Sequence, residues 1–283
     1  MLGATLDYLI LRGLAHCGNL ATEGQLDSLA EKATPGTFDD AQVKLRKFAE
    51  RFEGHLPIEP GLRYLDMGCG SGELTLEFAR LVGGQITGVD FLPRYIDAAK
   101  ARARRSGMGS RVRFLCRDLR GWVPEQKYDV LLSFDAFEHV GEPAALLRKM
   151  ADFVTPGGVA ALAFGPLFHS PFGDHMGDFF RLQIPWRGIV FSEKAVLRVR
   201  RECFRPTDPV TDYREIAGGL NLMRYSEFLG YVGDAGWKFD YLAVNTFLRR
   251  SSALRFVSDV VTRLPRVRDY FAHNVYAVLR RTS

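Results

Sequence analysis

Three glycines stand at alternate positions within residues 66–72, and this short run constrains the fold of the chain more than any other feature. The run follows an apolar stretch and precedes apolar residues that recur at helical spacing. Glycine lets the backbone turn tightly and lie close to a ligand where a side chain would clash. The order of strand, glycine loop and helix therefore predicts a ligand-binding loop at the edge of an α/β sheet.

The spacing of the glycines separates two kinds of ligand loop. A dinucleotide-binding loop would have its third glycine at position 73, which is Glu73 in this chain. The acidic Asp66 precedes the glycines, and this D-x-G-x-G-x-G pattern resembles motif I of the class I S-adenosylmethionine-dependent methyltransferases. The resemblance implies that Asp66 lies near the amino group of the cofactor and that the loop passes its methionine half. The loop residues that would bind the cofactor are Gly68, Cys69, Gly70 and Gly72.

From residue 62 onward, strand and helix patterns alternate, which predicts a Rossmann-like, doubly wound, mostly parallel sheet of seven strands. We predict strands at 63–67, 85–90, 112–116, 128–134, 159–164, 238–244 and 274–279. We predict helices at 73–82, 93–105, 143–153 and 226–235, and we expect the turn at 155–158 to separate the third of these from the fifth strand. The methyltransferase-like domain would then span residues 61–283.

Two segments lie outside this alternation. Residues 166–225 are far longer than an ordinary connection and are rich in aromatic and turn residues. Because ligands bind outside the carboxyl ends of parallel strands, we expect this insertion to form a cap over the acceptor substrate. Residues 1–60 have a helical pattern and would cover the mouth of the active site or form a subunit contact, as in a homodimer.

Composition indicates an ordinary soluble globular protein, with 47% hydrophobic and 25% charged residues. No stretch approaches the roughly 20 uninterrupted apolar residues that a membrane span needs. The net charge is +5, but the basic residues are not interleaved with aromatic ones, which favours a solvated surface over a nucleic-acid partner. The four cysteines lack C-x-x-C spacing, which favours reduced thiols and a cytoplasmic location.

The acidic Asp90 ends the second predicted strand, 18 residues after Gly72. A carboxylate at this position can accept hydrogen bonds from both hydroxyls of a ribose, and it matches the ribose-binding acid of the methyltransferase family. The alternative is a helix cap ahead of Pro93. Phe91, which follows Asp90, would border the adenine.

Two further segments resemble cofactor-contacting parts of the same family. Asp118 and Leu119 follow the third predicted strand, where the family contacts the adenine; the alternative for Asp118 is an ordinary surface acid at a strand end. Ser133 and Phe134 close the fourth predicted strand beside the glycine loop, where the family has its motif IV. The resemblance covers about residues 60–165.

Residues 135–139 are the segment that we expect to act on the acceptor substrate. If the chain enters a helix after the fourth strand, Asp135, Glu138 and His139 stand at i, i+3 and i+4 and share one face. Such a group can act as a base or hold a divalent metal such as Mg²⁺, Mn²⁺, Fe²⁺ or Zn²⁺. The segment resembles the E-x-x-E-H motif of ubiquinone-pathway O-methyltransferases and small-RNA terminal 2′-O-methyltransferases, in which a later histidine completes a metal site. His175, or else His169, would be that histidine. The alternative is that Glu138 and His139 orient the substrate or cap a helix.

The sequence thus predicts transfer of a methyl group from S-adenosylmethionine to a hydroxyl of a small polar acceptor such as a sugar, diol or phenol. His139 would act as the base, together with Glu138. The alternatives are an RNA 2′-O-methyltransferase, a C- or N-methyltransferase, and a cofactor-binding protein without catalysis. The aromatic residues expected to wall the acceptor pocket are Phe168, Phe172, Phe179, Phe180 and Trp186.

Overall fold

A seven-stranded sheet organises the part of the chain that the computed structural model describes, namely residues 2–15, 38–176, 179–206, 210–216, 220–246, 252–265 and 267–282. The strands are β1 (Tyr64–Met67), β2 (Ile86–Asp90), β3 (Val112–Cys116), β4 (Tyr128–Phe134), β5 (Val154–Phe164), β6 (Trp237–Asn245) and β7 (Asn274–Arg281). The first helices are α1 (Leu2–Leu14), α2 (Phe38–Arg51), α3 (Glu73–Val82), α4 (Pro93–Arg105) and α5 (Pro143–Phe153). They are followed by α6 (Arg187–Val190), α7 (Glu193–Cys203), α8 (Tyr225–Asp234) and α9 (Ser252–Arg263).

The strand order is β3-β2-β1-β4-β5-β7-β6. The first five strands along the chain are parallel, whereas β7 runs antiparallel to both β5 and β6. The start of β7 at Asn274 therefore lies at the same edge as the carboxyl ends of the other strands. Ligands bind at this edge in sheets of this kind.

Both faces of the sheet are covered, which explains why its central strands are almost continuously apolar. Buried side chains of α2, α3 and α4, among them Phe48 and Phe78, pack on one face. Side chains of α5 and α8, among them Met150 and Phe228, pack on the other. The resulting three-layer architecture confirms the predicted fold class.

Most predicted element boundaries are confirmed, but the prediction of a turn between α5 and β5 was wrong. Residues 155–158 were expected to separate the preceding helix from the strand, whereas β5 already begins at Val154. Val154 pairs with Tyr128, and a register shift before the Val130–Val159 pair accommodates the glycines inside the strand.

The insertion after β5 builds a small core of its own with α1. Phe168 and Phe180 are buried there, Phe179 stacks on Phe204, and Trp186 packs against Phe271. The indole N–H of Trp186 also donates to the carbonyl of Tyr270 at 2.8 Å. These four aromatic residues stabilise the cap and attach it to the sheet domain, so the structure does not place them as the free pocket walls that we expected.

Cysteine pairing differs from the expectation of four reduced thiols. Cys69 and Cys116 are free, but Cys203, at the end of α7, is disulfide-bonded. The fourth cysteine, Cys17, lies outside the described residues. Within the described ranges, no helix is both long and apolar enough to cross a membrane.

Candidate active site

The loop between β1 and α3 has a shape that only glycine permits. Gly68, Gly70 and Gly72 have φ values of 78°, 51° and 82°, in the left-handed region. A Cβ at Gly68 would lie 2.5 Å from the Cβ of Ala136, and one at Gly72 would lie 2.7 Å from the Phe114 ring. A Cβ at Gly70 would meet nothing within 4 Å, so this side of the loop leaves room for a ligand.

Asp66 is buried beneath the loop. Its Oδ2 accepts a hydrogen bond from the Thr75 hydroxyl at 2.6 Å, which joins the end of β1 to the first turns of α3. Burial raises the pKa of Asp66 to about 6, and the negative charge of Asp90 adds to the increase. A cationic amino group near this carboxylate would stabilise its charged form.

Asp90, the acid predicted to bind a ribose, lies at the end of β2 beside the glycine loop. Its Oδ2 accepts from the Gly70 N–H at 3.1 Å and its Oδ1 from the Leu92 N–H at 2.9 Å. A carboxylate has about four acceptor sites, so these two bonds leave about two for the hydroxyls of a ribose. The N-cap of α4 is Leu92, without a side-chain cap, and Asp90 is therefore not the helix cap that we considered as the alternative.

The adenine side of the predicted site is open. The Phe91 side chain is 62% exposed beside Asp90. Asp118 is an exposed partner of Arg120, with an Nη2 to Oδ2 distance of 2.5 Å, and this hydrogen bond lowers the pKa of Asp118. Leu119 packs partly against the core. Any contact between Asp118 and an adenine would therefore share the carboxylate with Arg120.

Ser133 and Phe134 end β4 beside the loop, and both are buried. The Phe134 ring stacks on Phe48 of α2, with ring centroids 4.6 Å apart. Since its side chain is used in packing, any contact of Phe134 with the cofactor would come from its backbone.

Residues 135–139 do not form the α-helix that we predicted. Asp135 adopts the left-handed conformation with φ 49°, and only Phe137–His139 form one turn of 3₁₀ helix. The side chain of Asp135 forms an ion pair with Lys44 of α2. The side chain and backbone of Asn221 hold the turn by donating to the carbonyls of Phe137 and Glu138, both at 2.9 Å.

This geometry corrects the predicted metal site. Asp135 pairs with Lys44, and Glu138 accepts a hydrogen bond from the Gly165 N–H, so the two carboxylates do not converge as they would on one helical face. His169 is half-buried against Phe168. Among the described residues, no three His, Cys, Asp or Glu side chains are grouped to hold a metal ion. Asp135, Glu138, His139 and His175 therefore do not fit a four-ligand metal centre.

Among the described carboxyl groups at this edge, Glu138 has the pKa that is shifted furthest from its ordinary value. Only 3% of the residue is exposed, and its Oε1 accepts from the Gly165 N–H at 3.1 Å, whereas its Oε2 has no hydrogen-bond partner in the described structure. Burial raises the pKa of Glu138 to about 8, and the charge of Asp135 contributes further. The unpaired oxygen can therefore carry a proton near neutral pH, which is typical of functional acids.

His139 and His175 lie side by side, although 36 positions separate them in the sequence. Their ring centroids are 5.6 Å apart and the rings are perpendicular. The Nε2 of His175 lies 3.0 Å from the carbonyl oxygen of Pro166, which can only accept, so this nitrogen carries the proton and Nδ1 can accept one. Solvent reaches the His175 ring, but the surrounding protein desolvates it and lowers its pKa, as expected in the wall of a cleft.

Sequence reasoning missed two residues at the start of β7, His273 just before the strand and Asn274 as its first residue. His273 lies beside this edge, its Nδ1 is 2.9 Å from the Ser170 hydroxyl, and burial lowers its pKa. Asn274 lies against the backbone of Gly165. A Cβ added to Gly165 would lie only 2.7 Å from the Oδ1 of Asn274. Only the antiparallel direction of β7 brings these residues to the carboxyl edge. An antiparallel assignment for the last strand would have predicted their position.

Comparison with known proteins agrees with this arrangement. Residues 65–158 match the family model of a methyltransferase domain. The chain is 37% identical over 113 residues to a ubiquinone biosynthesis O-methyltransferase of Cereibacter sphaeroides, a match that covers 40% of this chain and 44% of that protein. It is 30% identical over 171 residues to a 27-O-demethylrifamycin SV methyltransferase of Amycolatopsis mediterranei, covering 58% of this chain and 62% of that protein. The chain thus spans about half the length of the curated relatives that it matches.

The fold extends the similarity beyond the matched domain. The structure of geranyl diphosphate C-methyltransferase from Streptomyces coelicolor A3(2) superposes with a TM-score of 0.53 at 14% identity, over 85% of this chain and 80% of that one. The strand order, the glycine loop and the family match define residues 65–158 as a class I S-adenosylmethionine-dependent methyltransferase domain. The resemblance seen in the glycine loop is therefore confirmed.

We expect Asp90→Ala to weaken the binding of S-adenosylhomocysteine by about tenfold or more. The variant would lose hydrogen bonds from ribose hydroxyls to a charged acceptor, each of which contributes roughly 1.5–3 kcal/mol. Calorimetric titration measures the effect, with Asp97→Ala, an exposed carboxylate on α4, as the matched control. Unchanged affinity in Asp90→Ala would remove Asp90 from the cofactor site.

Proposed function

We propose that this chain transfers the methyl group of S-adenosylmethionine to a hydroxyl of a small polar acceptor. The observation that carries the proposal is the cluster beside the glycine loop, where Ala136 contacts Gly68 and the next residues include Glu138 and His139. A similarity in part of the sequence to O-methyltransferases supports a hydroxyl acceptor.

Bound S-adenosylmethionine supplies an electrophilic methyl group on a positively charged sulfur. The acceptor oxygen attacks this methyl carbon in line, the carbon–sulfur bond breaks, and the electron pair stays on the sulfur of S-adenosylhomocysteine. The hydroxyl must also lose its proton as the new bond forms. A base at the carboxyl edge therefore meets a chemical need that the cofactor does not.

We assign the role of the base that accepts this proton to His139, which is exposed at the carboxyl edge. The neighbouring His175 has its Nε2–H directed to Pro166 and a lowered pKa, so at neutral pH it places no positive charge beside the base. Glu138, with a pKa of about 8, can hold a proton at its unpaired Oε2, so this buried carboxyl group next to His139 is mostly neutral at pH 7.

The test is a methyl-transfer assay with isotope-labelled S-adenosylmethionine against pooled sugars, diols, phenols and short RNAs. We expect label in a methyl ether of a small hydroxyl compound. Label on carbon or nitrogen, or on the RNA ribose, would replace the proposed acceptor class. Binding of S-adenosylhomocysteine without transfer to any pool would favour a protein that binds the cofactor without catalysis.

A further inference from the structure

A groove of about 660 Å³ opens between α2 and the carboxyl edge of the sheet. This volume lies within the range of roughly 300–1,000 Å³ that small-molecule sites occupy. Strands β6 and β7 contribute the rings of Tyr241 and Tyr276 and the amides of Asn245 and Asn274. The groove therefore offers aromatic surface together with hydrogen-bonding groups, as a polar organic molecule requires.

Helix α2 gives the groove its charge. Lys44, Lys47 and Arg51 have helical spacing that places them on one face, and all three line the groove. Glu50 and Asp135 are the two carboxylates of the lining. Three cations and two carboxylates leave one positive charge, which matches a ligand with a single negative charge better than a doubly charged phosphate.

Two of these cations are available to a ligand. Lys44 is paired with Asp135, whereas the Lys47 ammonium has no hydrogen bond or ion pair within the described residues. The Arg51 guanidinium lies 4.1 Å from the centroid of the Tyr276 ring, and its Nη1 makes one long contact of 3.4 Å with Asn245 Oδ1. Stacking on an aromatic ring holds a guanidinium in place and leaves its other N–H groups free for a carboxylate.

The inner end of the groove reaches the proposed reaction centre. Asp135 is followed by Ala136, which contacts the glycine loop at Gly68. On the other wall, Asn274 contacts Gly165, whose N–H donates to Glu138. A molecule that fills the groove would therefore place one end beside the methyl donor and the other beside α2.

We infer that the groove binds a carboxylate of the methyl acceptor, and that Lys47 and Arg51 recognise this group. The inference rests on the proposed function and narrows its acceptor to hydroxy acids. The acceptor hydroxyl lies at the Asp135 end of the groove, and the carboxylate lies at the Arg51 end.

Calorimetry with 4-hydroxybenzoate and 4-hydroxybenzamide tests this inference without turnover. The two probes share the ring and the hydroxyl and differ in charge, and each is titrated with and without saturating S-adenosylhomocysteine. We expect the native protein to bind the benzoate at least tenfold more tightly than the benzamide, and Lys47→Gln combined with Arg51→Gln to abolish this preference. Lys47→Gln alone should remove part of the preference for the benzoate. Because Lys47 is exposed, this substitution leaves the core unchanged.

Lys238→Gln is the matched control, because Lys238 is exposed at the start of β6, at the opposite edge of the sheet. This variant should retain the preference. Equal affinity of the native protein for the two probes, no detectable binding of either, or an undiminished preference in the double variant would overturn the inference. Failure of the native protein to bind S-adenosylhomocysteine would instead contradict the proposed function. The titrations of the two probes without S-adenosylhomocysteine would still test the groove.

Discussion

His139→Ala should reduce kcat for methyl transfer by about 100- to 10,000-fold, the usual contribution of a positioned base. The affinity for S-adenosylhomocysteine should stay nearly unchanged, because the ring contacts His175 at the acceptor side. The measurement is single-turnover methyl transfer, with calorimetry to follow cofactor binding. Turnover is expected to persist in EDTA, since the four predicted ligands do not form a metal centre.

Two comparisons separate a base from a merely structural histidine. Added imidazole should restore part of the activity of His139→Ala, because a small base can occupy the space that the ring leaves. His175→Ala should lose less activity and gain little from imidazole, since its role is to remain neutral beside His139. Rescue of His175→Ala, but not of His139→Ala, would transfer the role of base to His175.

Arg187→Met should lower the free energy of unfolding by about 3–5 kcal/mol, the cost of breaking a buried ion pair by removing one partner. Arg187 and Asp174 are 1% and 3% exposed and form two hydrogen bonds, at 2.7 and 2.9 Å. The guanidinium also lies 4.1 Å from the centroid of the Phe180 ring. Without Arg187, the carboxylate beside His175 would remain buried and lose its cationic partner. Urea denaturation followed by circular dichroism measures the effect.

Two further variants distinguish burial from charge. Arg113→Met removes one partner of the exposed Arg113–Glu125 pair and should cost less than about 1 kcal/mol. The double variant Asp174→Leu with Arg187→Met should recover much of the lost stability, because neither charge of this buried pair is then left without its partner. An effect of Arg187→Met no larger than that of Arg113→Met would contradict the ion-pair explanation.

The sequence alone determined the succession of the seven strands, the four helices predicted between them, and the cofactor loop. Helices 73–82, 93–105 and 143–153 begin and end where they were predicted, because local apolar periodicity and turn residues define such elements. The positions of Asp66, Asp90 and the three glycines also follow from the sequence, since the loop joins one strand directly to the next helix. A local pattern can specify a local structure of this kind.

Only the tertiary structure decided the arrangement on the acceptor side. The spacing of Asp135, Glu138 and His139 indicated a shared helical face, but pairing of Asp135 with Lys44 and hydrogen bonding of Glu138 to Gly165 separate the carboxylates. The direction of β7, which brings Asn274 to the site, depends on its pairing with β5 and β6. Contacts between residues far apart in sequence set these features, and their free energy outweighs the local preference for continuing a helix.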